Sequence, residues 1–409
     1  MIQQYKIIND PVHGFINIPG GIILDIIQHP LFQRLKEIKQ LGLTSLVYPG
    51  ACHTRLNHAL GAMHLMNEAV NSLRTKGVII DESEQEQAMV AILLHDIGHG
   101  PFSHALENDI IKGVSHEEIT LQLMDIINKE MNGKISVAID IFTGKYSKRF
   151  LHQLVSSQLD VDRLDYLRRD SFFSGVAEGM IGHERIIKMM TVKNNNLVIE
   201  EKGIYSVEKF LISRRLMYWQ VYLHKTVIAA EQLLVEIINR AREIHSASSS
   251  LKGSPSLLYF LEKSVEINSM SNPEVLDMFA RLDDSDVISA IKQWCINEDI
   301  VLSRLCRMLV ERRLPHIELS KEPFDGITFE AKISEFERTY NLPREYSRYF
   351  VKTGEVQNRG YDQNEENIRI LTKNGESWDI YEISDMLSSK AFSQITKKYF
   401  LCTPKNFYI

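Results

Sequence analysis

One stretch limits what this chain can become. Residues Ala88 to Leu94 are apolar without interruption, and the next seven read His95-Asp96-Ile97-Gly98-His99-Gly100-Pro101. The apolar run predicts a buried helix, and two glycines and a proline end it. The helix therefore delivers an imidazole and a carboxylate to one point in an apolar interior. Burying such groups is costly unless they are paired or bind a metal. Taken alone, the His-Asp pair fits a metal site and a helix end with local hydrogen bonds equally well.

The surrounding histidines shift that balance. The chain has 14, and seven of them fall between His53 and His116, far more than an even spread would place there. A helix is predicted from about Thr54 to Leu73, with Leu56, Leu60, Met63, Ala69 and Val70 on its apolar face. On it, His58 follows Arg55 by three residues, so both share a face. His104 precedes Glu107 by the same spacing, so that carboxylate can orient the imidazole. Ser115-His116-Glu117-Glu118 reads as a capping box, which puts His116 at a helix N-terminus suited to an anion. Further on, Asp162, Asp165 or Tyr166, and Asp170 recur near helical spacing. Leu159, Val161, Leu164 and Leu167 make that segment half buried rather than a solvated charged face. Ligands from separate segments, namely His58, His95 with Asp96, and Asp162, suit a divalent ion such as Mn, Fe, Mg, Ni, Co or Zn. Such an ion acidifies bound water and polarises a phosphoryl oxygen.

Composition sets the context. The chain has 409 residues, 44% apolar and 24% charged, enough for a large core in an ordinary globular protein. The net charge of -6 gives no general nucleic-acid or membrane surface, and no apolar run approaches the roughly 20 residues of a membrane span. The N-terminal residues lack a signal-peptide core, so a cytoplasmic location is expected. Cys52, Cys295, Cys306 and Cys402 lie far apart, as free thiols would. Residues 5 to 18 predict a β-hairpin around Asn9-Asp10-Pro11-Val12-His13-Gly14. Helices follow from Ile22 to about Ala247, with a small hairpin at Asn194-Asn195-Asn196 and one long helix over 206–245. Ser246 to Ser250 with Gly253-Ser254-Pro255 reads as a linker, helices resume to about Arg313, and strands appear after Pro315.

Several strings together resemble a known family. They are Asn9 to Gly14, Phe32-Gln33-Arg34-Leu35, Ile38-Lys39-Gln40-Leu41-Gly42, Pro49 to Arg55, His95 to His104, and Asp160-Val161-Asp162-Arg163-Leu164-Asp165-Tyr166. They look like the deoxynucleoside triphosphate triphosphohydrolase branch of the HD-domain metal-dependent phosphohydrolases, whose pattern is H…HD…D. That branch includes the mammalian SAM-and-HD-domain enzyme, although no SAM domain is expected ahead of a hairpin that starts almost at residue 1. The likeness runs on to Tyr222-Leu223-His224-Lys225 and Ile368 to Asn374.

The resemblance implies a mostly α HD-domain helical fold with small β-hairpins and a small α+β C-terminal part. With the linker and the change of character after Pro315, the expected division is an HD phosphohydrolase core (1–250), a helical extension (251–314) and an α+β region (315–409). It implies His58, His95, Asp96 and Asp162 as metal ligands. His104, oriented by Glu107, would be the catalytic histidine, with His116 next in line. Arg55, His99, His116 and Arg163 match triphosphate contacts. Tyr166 and Asp170 match contacts to a 2'-deoxyribose, with Gln40 and Leu41 beside them, and Arg214 and Tyr222 match phosphate and nucleotide contacts. The expected reaction releases intact triphosphate from the nucleoside; hydrolysis of another nucleotide ester, or nucleotide sensing with weak turnover, are the alternatives. Expected partners are deoxynucleoside triphosphates, a nucleotide activator and further copies of the chain in a dimer or tetramer, with nucleic acid not the main partner. Asp10, His13, Gln28, Gln33 and Lys36 match the family's effector segments. Gln28 and Lys36 stand where an Asp and an Arg read guanine in the mammalian enzyme, so relaxed base choice is expected there.

Overall fold

Most long helices begin on a side chain that accepts a first-turn amide. Asp81, Ser115, Asp160, Ser254, Asn272, Asp283, Asp299 and Asp325 are all N-caps of this kind. Each satisfies a backbone donor that would otherwise lack a partner. The structure, a computed structural model, describes residues 5–405 apart from 103–104, 107–110, 249–250, 264, 267–268, 270, 359–360, 362–365 and 388–394. It is mostly helical, with small sheets at the N-terminus, the middle and the C-terminal part.

The predicted hairpin forms from β1 (Tyr5–Asp10) and β2 (Gly14–Pro19), paired antiparallel through Asp10 and Gly14 at the turn. A short helix, α1 (Ile22–Gln28), follows, and then come the two helices that build the core, α2 (Arg55–Thr75) and α3 (Glu82–Leu94). Every side chain from Ala88 to Leu94 is buried. Two more site helices are α4 (His116–Glu130), on its predicted capping box, and α5 (Val161–Ser174). Helix α5 lies hard against α2 at Gly61, where an added Cβ would fall 2.1 Å from both Asp165 Oδ1 and Arg169 Nη2. Glycine in a helix interior costs about 0.5–1 kcal/mol; here it lets a buried ion pair reach the helix backbone.

The Asn194-Asn195 turn joins β3 (Met190–Lys193) to β4 (Asn196–Glu200), and both asparagines hold positive φ. The single helix expected over 206–245 is instead two. Helix α6 (Ile204–Met217) runs into a π-turn at Tyr218–Tyr222, and α7 (Lys225–Ser248) starts after it. No Gly or Pro causes this break. Leu223 N–H bonds back to the Tyr218 carbonyl at 2.7 Å, five residues earlier, while the Tyr48 hydroxyl donates to the Gln220 carbonyl at 2.6 Å. Tertiary contacts thus satisfy backbone groups that an unbroken helix would have paired. The expected linker is also shorter than its composition suggests, because α7 continues through Ser248.

After α8 (Pro255–Glu262) and α9 (Pro273–Ala280) comes α10 (Asp284–Trp294). Three strands, β5 (His316–Ser320), β6 (Lys352–Asn358) and β9 (Thr396–Thr403), form an antiparallel sheet with β9 central. Between them β7 (Arg369–Leu371) and β8 (Ser377–Asp379) extend the β3–β4 hairpin, with β7 parallel to β4 through Ile199 and Ile370. Among the described residues, no helix is long and apolar enough to cross a membrane.

Candidate active site

Three segments far apart in sequence meet at the C-terminal end of α3. His58 on α2, His95 just after α3, and Asp162 on α5 bring ligand atoms to within 4.8 Å of one another. Asp162 Oδ1 lies 3.0 Å from His58 Nε2 and 3.4 Å from His95 Nε2. Asp96 stands at the edge of the group, 3.4 Å from His95 Nε2 through Oδ1 and 3.9 Å from His58 Nε2 through Oδ2.

The arrangement around these atoms fits a cation. His58 donates from Nδ1 to Asp165 Oδ2 at 2.7 Å, and His95 donates from Nδ1 to the Ile92 carbonyl at 2.6 Å. Both acceptors lack a proton, so each ring presents its Nε2 lone pair. Those two Nε2 atoms face each other at 3.4 Å. Two lone pairs beside two carboxylates repel unless a positive charge sits among them. The side chains themselves show that demand. Burial opposes a charged imidazole at His58, yet Asp162 and Asp165 outweigh it and push the group up to about 10. At His95, burial is likewise overcome by Asp96 and Asp162, and the group is raised. Burial disfavours the Asp162 carboxylate, but the two imidazoles hold it below its usual range. An imidazole whose far nitrogen is fixed by a carboxylate or carbonyl is the usual outer arrangement of a metal-binding histidine.

Asp165 ties this centre to the N-terminal hairpin. It accepts from His58, from His13 Nε2 at 2.6 Å and from Arg169 Nε at 2.9 Å. Arg169 in turn donates to Asp10 Oδ2 at 2.7 Å. Asp165, Asp10 and Arg169 are all buried, so this network is largely sealed from water.

One cation and two stacked imidazoles gather on the Asp96 side. Arg55 is buried and its Nη1 pairs with Asp96 Oδ2. His99 stacks on His116 with ring centres 3.9 Å apart. Burial, and then the Arg55 charge, push His99 down to about 3, so its ring is neutral at pH 7. Thr120 of α4 accepts from Gly98 N–H at 3.0 Å and donates to the His95 carbonyl at 3.1 Å, which seats the turn on α4. Arg163, by contrast, pairs with Asp160 at 2.6 Å and has Tyr166, Asp162 and Tyr218 near its charge.

Aromatic groups and one carboxylate gather on the other side. Tyr166 lies edge-on to His58 at 6.5 Å and to Tyr222 at 6.3 Å. Tyr222 donates to Asp170 Oδ2 at 2.8 Å, and His53 Nε2 donates to Asp170 Oδ1 at 2.7 Å. Arg214 reaches toward Tyr218, 5.9 Å from its ring centre. Among the described residues, Gln40 Oε1, Arg163 Nε and Arg214 Nε are buried with no hydrogen-bond partner. Native proteins rarely leave such atoms unmatched. His104 and Glu107 lie outside the described residues.

A model of the HD domain matches residues 55–170, and one of the HD associated region matches residues 181–252. Bacillus subtilis YwfO is 30% identical over 400 residues, 95% of this chain and 90% of that protein. A phosphohydrolase crystal structure from Bacteroides thetaiotaomicron is 51% identical, with a TM-score of 0.95 over 98% of this chain and 100% of that one. The chain belongs to the HD phosphohydrolase superfamily. A Dictyostelium discoideum relative, named a deoxynucleoside triphosphate triphosphohydrolase SAMHD1 homolog, is 30% identical over 64% of this chain. The present chain spans 56% of that relative's length.

Within this HD phosphohydrolase, the five residues matched to effector segments divide by location. Gln28 and Lys36 are exposed on the outside of the fold, and Gln33 Nε2 donates to the Ile27 carbonyl at 2.6 Å. Asp10 and His13 instead turn inward behind the HD centre. The sequence names Asp165 among the spaced carboxylates without giving it a role, and it gives no sign of Arg169's part. Helix α5 carries both, but three or four aspartates at helical spacing look alike until one is seen to face His58.

Proposed function

We propose that this HD phosphohydrolase hydrolyses deoxynucleoside triphosphates to deoxynucleoside and triphosphate, using a divalent metal. The observation that carries the reading is the set of groups that surrounds the ligand cluster. Arg55, His99 and His116 stand by Asp96, while Arg163 and Arg214 stand by Tyr166, with Tyr222 and Asp170 next to that ring. Cations and a helix N-terminus suit a polyphosphate. A carboxylate between aromatic rings suits a sugar hydroxyl beside a base. The unmatched Gln40, Arg163 and Arg214 atoms give a nucleotide further polar contacts.

His58, His95, Asp96 and Asp162 would hold the metal. When bound, it would supply Lewis acidity toward a phosphoryl oxygen and an acidified water. The chain supplies the rest. Arg55 and Arg163 neutralise phosphate charge, and His116 at the N-terminus of α4 adds a donor. Asp170, fixed by His53, holds the 3'-hydroxyl, and Tyr166 crowds the 2' position. A ribonucleotide would then clash or leave a buried hydroxyl unpaired, and either lowers its rate. His104, with Glu107, is assigned proton transfer at the reacting phosphate, and removing it should lower turnover about 100- to 10,000-fold. Exposed Gln28 and Lys36 mark an effector surface at which a deoxynucleotide activates at least as well as GTP.

Incubation with Mn or Mg and each dNTP, alone and in mixtures, tests this reading. Tripolyphosphate and nucleoside should appear, with dATP cleaved faster than ATP. Release of orthophosphate or pyrophosphate, or equal rates for dATP and ATP, would overturn it.

A further inference from the structure

One buried carboxylate beside the site comes from beyond both HD-family matches. Asp284 is the first residue of α10, and its neighbour Asp283 already caps that helix. Asp284 is therefore not needed as a cap. It is 6% exposed, and each of its oxygens accepts a backbone amide from a different loop. Oδ2 accepts from Lys39 at 3.0 Å, and Oδ1 accepts from Phe102 at 2.9 Å. Lys39 opens the Gln40-Leu41 segment, and Phe102 closes the turn that begins at His95.

The two loops also touch directly. Phe102 holds φ 51°, a conformation that a bulky residue keeps only when its surroundings impose it. Gly42, at φ +47°, is its neighbour across the two loops: an added Cβ would stand in van der Waals contact, 3.8 Å from the Phe102 Cα and carbonyl oxygen. The same wall grips the turn a second time. Arg34 donates to the Ile97 carbonyl at 2.8 Å and to the Leu282 carbonyl at 3.3 Å, and its guanidinium lies 4.9 Å from the Phe279 ring centre.

We propose that Asp284 is a positioning residue that locks the Lys39–Gly42 loop to the Gly98–Phe102 turn. It thereby sets the distance between the sugar-facing side of the pocket and the turn leading to His104. Its effect on turnover rests on the proposed nucleotide reaction; its effect on the loops does not.

Asp284→Asn keeps the shape but turns a carboxamide NH2, a donor, toward one of the two backbone N–H donors. It should retain metal, lower kcat about 10- to 100-fold, as small misplacements of reacting groups do, and speed amide exchange in residues 39–42 and 98–102. Asp284→Glu keeps the charge and should fall between Asp284→Asn and the parent chain in both measurements. Asp283→Ala removes the cap of the same helix, so it should lower the melting temperature and leave kcat and loop exchange unchanged. The proposal is overturned if exchange in the two loops is no faster in Asp284→Asn than in Asp283→Ala, or if both variants lose activity in proportion to lost stability. If the parent chain cleaves no dNTP, the substrate reading fails while the exchange measurement still decides the role of Asp284.

Discussion

Asp165 shows how much of a metal centre lies outside its ligands. Its carboxylate is buried among His58, His13 and Arg169, and burial opposes its charge while Arg169, His13 and His58 hold it well below the usual range. Kept ionised, it fixes the His58 proton on Nδ1 and leaves Nε2 for the cation. Asp165→Asn removes that charge with little change of shape. Metal affinity, read by titration calorimetry and metal analysis, should drop about 10- to 100-fold, the usual result of losing a partner behind a ligand. Unchanged affinity would mean that packing alone holds His58 in place. Asp162→Ala, which deletes a ligand, should abolish binding in the same assay.

Among the elements, the π-turn between α6 and α7 has the clearest consequence. It sets Tyr222 where its hydroxyl meets Asp170. Within the turn, Tyr48, from a loop far back in the chain, donates to the Gln220 carbonyl. Tyr48→Phe should cost about 0.5–1.5 kcal/mol, the net worth of a typical hydrogen bond, since the Gln220 carbonyl is only part-buried, and thermal melting would register it. If the break is held by Tyr48, the variant should also weaken nucleotide binding through Tyr222. A variant that melts lower with nucleotide binding intact would separate the two effects.

The C-terminal strands decide how the molecule holds together. β7 pairs with β4, so residues 369–371 complete a sheet begun at residue 190. The buried core is shared as well: Ile370, Ile380 and Leu401 belong to the same cluster as Leu93 and Leu164. A chain ended at Leu314 would leave the β4 edge unpaired and Ile199 uncovered, and exposed edges invite association. Such a chain should melt lower and aggregate in light scattering. A monodisperse product with the parent melting temperature would show that the HD part folds without its C-terminal strands.

Local features were legible without coordinates. The capping box at Ser115, the Asn194-Asn195 turn and the end of α3 at His95 each depend on residues next to one another. The ligand candidates were legible too, because the apolar run before His95 and the α5 repeat put ionisable groups where water is scarce. What tertiary structure alone decided was which groups face one another. The aspartates of α5 share a periodicity, yet Asp162 meets two imidazoles, Asp165 stands behind His58, and Asp170 joins His53 to Tyr222. Periodicity gives a side chain its direction around a helix axis but not the partner that arrives from a distant segment. Likewise, residues 206–245 satisfy the rules for one helix, and the contacts made at the break, the Tyr48 hydroxyl on the Gln220 carbonyl and Tyr222 on Asp170, come from segments that the local pattern does not contain.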